Sequence, residues 1–154
     1  MTLPVEELMH ILSVAASYKE TARDSNRLGA DLLGINMEGP FISVEKKGAQ
    51  DERNIISCDV DICQKFLEVS KGLVKFIGIA PERNSDFLQF IRQMQPKVNI
   101  SLAHTNADYD LLQHQKLPSL YHNLHWYEQG KDLPYASCPE SLAVHYYFSL
   151  VQYR

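Results

Sequence analysis

Glu38 stands directly before Gly39-Pro40, at the end of the largely apolar run from Ala30 to Met37. Proline carries no ladder donor, and Gly-Pro turns the chain, so a strand ending this way delivers its carboxylate into a turn. Two further apolar runs close alike, Val74 to Ala80 at Pro81-Glu82 and Val98 to Ala103 at His104-Thr105-Asn106. His104 therefore ends a different strand, and ligands gather at the carboxyl ends of parallel strands. A carboxylate and an imidazole from neighbouring strands form a mixed O/N pair suited to Zn²⁺ or a similar divalent ion. Taken singly, a strand-end Glu caps a loop as readily as it binds metal, and a strand-end His is more often structural. A hydrolytic centre would add a third ligand, an open position for water and a base.

Two neighbouring groups admit two readings each. Lys46-Lys47-Gly48-Ala49-Gln50 follows the Glu38 turn and either closes over an anionic substrate or forms a solvated loop. Cys58 and Cys63 have four residues between them and no matching second pair, which fits core or surface thiols better than a zinc site.

The elements that position these residues read as β/α units. Pro4 to Lys19 predicts a helix, with Pro and Glu6-Glu7 in its first turn and Val5, Leu8, Ile11, Leu12 and Ala15 on one face. Ala30 to Met37 predicts one strand buried on both sides. A helix follows over about Asp59 to Ser70, with Gly72 as its stop. Asn84 and Ser85 are cap candidates for a second helix carrying Phe87, Phe90, Ile91 and Met94, which Pro96 ends. Strand, helix, strand, helix, strand implies a parallel sheet. After about Gln113 neither period holds, and Ser141 to Gln152 fits a helix or a strand equally well.

Composition limits the partners. The chain has 154 residues, 45% of them hydrophobic, which is enough for the core of one ordinary domain. Its 15 basic and 19 acidic side chains give a net charge of −4 and are mixed along the chain, so no nucleic-acid or anionic-membrane surface is expected. Three scattered cysteines suit a reducing, cytoplasmic setting. Neither a membrane span nor a signal sequence is expected.

Four ordered motifs make the chain resemble the N-acetylglucosamine-6-phosphate deacetylases of the amidohydrolase superfamily. They are Leu33 to Ile42, Glu45 to Gln50, Ile79-Ala80-Pro81-Glu82, and Ser101 to Ala107. The resemblance implies a partial (β/α)₈ barrel over residues 1–112, with residues 113–154 a divergent or out-of-family tail. It implies a divalent metal, Zn or Fe, held by Glu38, by His104 and by a further His one β/α unit later, where His125 falls. It implies that a metal-bound water attacks the acetamide carbonyl of N-acetylglucosamine 6-phosphate, giving glucosamine 6-phosphate and acetate. Ala49 and Gln50 correspond to a substrate-contacting loop, although many members carry His at the positions of Gln50 and Asn36. The family is typically homo-oligomeric. Its proton-shuttling Asp comes from a late strand beyond this chain, so no catalytic residue is assignable here. An inactive fragment lacking the general base is the alternative.

Overall fold

The computed structural model describes residues 2–23, 30–83, 85–107, 124–126 and 151–153. Helix α1 (Val5–Arg23) leads into two short strands, β1 (Ala30–Leu32) and β2 (Ile35–Met37). Helix α2 (Val60–Val69), strand β3 (Val74–Ile79), helix α3 (Phe87–Met94) and strand β4 (Asn99–Leu102) follow, then β5 (Leu124–Trp126) and β6 (Val151–Tyr153). The strands β2-β3-β4-β5 form one sheet in that order, with every neighbouring pair parallel. With β2 and β3 joined through α2, and β3 and β4 through α3, these are consecutive β/α units, the arrangement of a partial (β/α)₈ barrel.

Local sequence accounts for the helices. Asp59 caps α2 by accepting a hydrogen bond from the Ile62 amide, at 2.9 Å, and Asp61 lies in the first turn. Gly72, at φ +75°, follows its last turn. Helix α3 buries Phe87, Phe90, Ile91 and Met94, the apolar stripe expected for it. Its cap position is Asp86, which makes no side-chain cap bond, so Ser85 does not serve as the cap.

Three expectations are corrected. The run from Ala30 to Met37 is not one strand: β1 pairs antiparallel with β6, whereas β2 pairs parallel with β3. The break falls at Leu33-Gly34, where the backbone passes so close to β3 that a Cβ on Gly34 would lie 2.5 Å from Lys75 Cγ. Strand β2 is not buried on both sides either, since Asn36 is exposed and Met37 buried. The inward stripe of α1 is Leu8, Leu12 and Ala16, each 3% exposed, while Ile11 turns outward at 37%. These three residues, spaced by four, share one face of the helix, and α1 packs against α2.

The core lies between the sheet and the helices. Met37, Ile77 and Ile100 occupy one row across β2, β3 and β4 and are all buried. Phe41 and Ile42, just past the Glu38 turn, are fully buried as well. The Phe41 ring packs on Phe66 of α2 and Phe90 of α3, with centroids 6.4 and 5.5 Å away. The loop that leaves the turn is thus fastened to both helices.

Among the described residues, no helix is long and apolar enough to cross a membrane.

Candidate metal centre

Glu38 is the first residue after β2, and Gly39 sets its direction. Gly39 has φ +92°, in the region that side chains rarely adopt, and its peptide bond to Pro40 is cis. A Cβ there would also lie 2.3 Å from Thr2 Oγ1. Thr2, 5% exposed, donates from that oxygen to the Glu38 carbonyl at 3.3 Å and lies against Gln50 Oε1. Beyond the turn, the Pro40 carbonyl accepts from Ile56 N at 3.1 Å and the Phe41 carbonyl from Ala80 N at 2.8 Å. These bonds join the end of β2 to the segment before α2 and to the end of β3.

His104 lies two residues past β4 in a left-handed conformation, with φ +50°. For a residue with a side chain this costs of order 1–3 kcal/mol and persists only where the surroundings over-determine it. They do so here. The His104 carbonyl accepts from Ser43 N at 2.9 Å, and its ring Nδ1 lies 2.9 Å from the Lys46 carbonyl. A carbonyl can only accept, so Nδ1 carries the proton, and in the neutral imidazole the lone pair is left on Nε2.

That lone pair is the centre of the site. Nε2 is buried without a hydrogen-bond partner, and the His104 side chain is only 6% exposed. Glu38 Oε2 lies 3.9 Å away, too far for a hydrogen bond, while the Glu38 side chain is 49% exposed. An orphaned buried nitrogen is costly, and a metal-ligating His ordinarily donates its other N–H to a carbonyl or carboxylate. Two donors sharing an ion at about 2.0–2.2 Å stand about 3.4 Å apart in a tetrahedral site, so the half-exposed Glu38 carboxylate has only to close slightly on Nε2. The residues present therefore fit a divalent ion, with Glu38 and His104 as the groups that could hold it. Among the described residues, no third His, Cys, Asp or Glu joins them in one group.

The remaining expected residues are placed as follows. Gln50 is half-buried against Thr2, and Ala49 is exposed beside it. Their loop is internally bonded, with Lys46 N to the Ser43 carbonyl at 3.3 Å, Lys47 N to the Val44 carbonyl at 3.4 Å and Gln50 N to the Lys47 carbonyl at 3.2 Å. It is therefore an ordered turn that the His104 ring touches through Lys46. Ser43 Oγ donates to Glu45 at 2.5 Å, and this bond, with a smaller contribution from the Arg83 charge, holds the Glu45 carboxyl below its ordinary pKa.

Although neither period holds in the sequence around His125, that residue lies on β5. It pairs with Ser101 of β4, the strand that leads to His104. Its side chain lies outside the described residues, as does most of the 113–154 tail. Burial pushes the thiols of Cys58 and Cys63 up to about 12, which leaves both protonated and poor metal ligands.

Sequence reasoning gave no role to Glu82 or Thr2. Glu82 accepts from Asn106 N at 2.7 Å and from Thr105 Oγ1, in the turn that follows His104. Its signal was present, since Pro81-Glu82 repeats the strand-end acid of the Glu38 turn. Thr2 left none, because a lone Thr near a helix start is ordinary.

No family model matches the chain. It is 38% identical over 109 residues to an N-acetylglucosamine-6-phosphate deacetylase of Bacillus subtilis, covering 70% of this chain and 27% of that protein. It is 28% identical over 108 residues to an N-acetylgalactosamine-6-phosphate deacetylase of Escherichia coli O157:H7, covering 68% of this chain and 28% of the relative. The crystal structure of N-acetyl-D-glucosamine-6-phosphate deacetylase from Mycobacterium smegmatis superposes with a TM-score of 0.61 at 27% identity, over 73% of this chain and 28% of that one. A mutant of that enzyme was solved in complex with N-acetyl-D-glucosamine-6-phosphate. The chain thus spans about a quarter of the length of the relatives it matches.

Proposed function

We propose that this chain, a relative of the N-acetylglucosamine-6-phosphate deacetylases along a quarter of their length, carries two ligands of a metal-dependent deacetylase centre for an N-acetylated amino-sugar 6-phosphate. The supporting observation is the buried, unpartnered Nε2 of His104 facing Glu38 at 3.9 Å. When bound, a divalent Zn or Fe ion would supply a lowered pKa for a water and polarisation of the acetamide carbonyl. The chain's own residues do the rest of what can be assigned. Glu38 and His104 hold the ion, and the Lys46 carbonyl orients the imidazole by taking the Nδ1 proton's hydrogen bond. The turn carrying Ala49 and Gln50 flanks the centre and is placed to contact the sugar. His125, beside the strand of His104, is the proposed third ligand.

Metal analysis of the purified chain tests this. The expected result is a bound divalent ion that is lost, with its affinity lowered at least about 100-fold, in Glu38→Ala and in His104→Ala. Retention of the ion in both variants would refute the centre.

A second reading, a β/α unit that binds an ion without turning over, is favoured by the absence of a third ligand and of a placed general base among the described residues. Acetate release from N-acetylglucosamine 6-phosphate separates the two. The isolated chain is expected to release none beyond its Glu38→Ala control, and release above that control would overturn the second reading.

A further inference from the structure

We infer that Glu82 is a positioning residue for His104: its carboxylate fixes the turn that follows the imidazole, and through that turn the direction in which Nε2 is presented. The purpose of this device rests on the metal reading of the Glu38–His104 pair, but its geometry does not.

The left-handed backbone of His104 has to be held from both sides. On the upstream side, Ala103 N donates to the Ile79 carbonyl at 3.1 Å, which ties the end of β4 to the end of β3. At the residue itself, Ser43 N and the Lys46 carbonyl fix the peptide and the ring. None of these bonds reaches Thr105 or Asn106, which must leave the turn in the right direction for φ to stay at +50°. Glu82 supplies that side. It stands at the end of β3, in the short 3-10 turn Pro81–Arg83, and uses both oxygens: Oε1 accepts from Asn106 N at 2.7 Å and Oε2 accepts from Thr105 Oγ1. The Thr105 hydroxyl in turn accepts from Ala107 N at 2.9 Å, so the carboxylate orders three successive residues. Charge-assisted bonds to a backbone N–H and a hydroxyl are stronger than neutral ones, which suits a carboxylate that is itself exposed.

The arrangement is a relay between strand ends. The acid that closes β3 bonds the turn that aims the donor closing β4. A carboxylate with a purely local role would leave the His104 ring indifferent to its removal.

The experiment uses the whole chain, with ¹⁵N-labelled histidine for magnetic resonance and Zn²⁺ as the metal probe. In the metal-free protein the His104 Nδ1 proton, bonded to the Lys46 carbonyl, should exchange slowly, and in Glu82→Ala it should exchange at least about tenfold faster. The Ile77 amide, in the middle of β3, serves as the control for global opening and should keep its protection. Zn²⁺ affinity should fall about 10–100-fold in Glu82→Ala. Glu82→Gln, whose single amide oxygen can still accept from Asn106 N, should recover part of both effects. The inference is overturned if Nδ1 exchange in Glu82→Ala stays near wild type, or if it rises only in step with the Ile77 amide. Failure of the wild-type chain to bind Zn²⁺ would refute the metal centre instead, and the exchange measurement would still decide the role of Glu82.

Discussion

Gly39 and His104 are the two residues whose backbones are bent to serve the site, with φ +92° and +50°. They differ in what a substitution would do. At Gly39 a side chain is excluded twice, by the conformation and by Thr2 Oγ1 at 2.3 Å from the place of its Cβ. Gly39→Ala is therefore expected to lower stability by about 1–3 kcal/mol, read as a shift in the urea midpoint, and to weaken Zn²⁺ binding by displacing Glu38. A variant with an unchanged midpoint would show that the turn relaxes freely. At the residue scale the sequence was informative where chemistry and turn residues coincide. Glu38 before Gly-Pro and His104 before Thr-Asn are legible because strand, donor and turn follow one another. Thr2 was not legible, since its partners Glu38 and Gln50 are 36 and 48 residues away and nothing local marks it.

Among the elements, α2, α3, β3 and β4 were legible from periodicity and punctuation, with ends within a residue or two. The strand from Ala30 to Met37 was not, because its division depends on which partners are available: β6 for the first half, β3 for the second. No local pattern encodes a partner about 120 residues distant. The α1 stripe failed for a related reason, since Leu8 and Leu12 are shared by a stripe that takes in Ile11 and Ala15 and by one that takes in Ala16, and the packing of α2 decides between them. Phe41 escaped notice because it lies in a non-periodic segment, yet it is fully buried between α2 and α3. Phe41→Ala should cost about 3–5 kcal/mol in urea unfolding. The same variant should loosen Glu38 only three residues upstream, so Zn²⁺ affinity is expected to fall with it. A cost below about 1 kcal/mol would mean that the two helices close over the vacated space.

Across the whole molecule, the described sheet places its chemistry on one side, at the carboxyl ends of β2, β3 and β4. The thiols of half-buried Cys58 and buried Cys63 give the molecule a pH signature. Burial raises Cys58 and Cys63 to about 12 from an ordinary value near 9. The folded state therefore keeps these protons while the unfolded chain releases them. Their contribution to stability is full below about pH 9 and is lost as pH rises toward 12. Urea midpoints should fall over that window, and less steeply in Cys58→Ala; equal slopes would refute the assignment. At pH 8 a thiol reagent should leave both residues unmodified until urea is added, as peptide mass analysis would show.

The anchoring of Phe41 also sets an order of events. During synthesis Glu38 emerges early, but the rings that pin its turn, Phe66 and Phe90, are made 25 and 49 residues later than Phe41 itself. His104 emerges later still. A nascent chain stopped before Phe90 would carry Glu38 in sequence without the rings that fix its turn, and one stopped before His104 would lack the second donor. Any ion the centre takes must arrive after the second helix has docked.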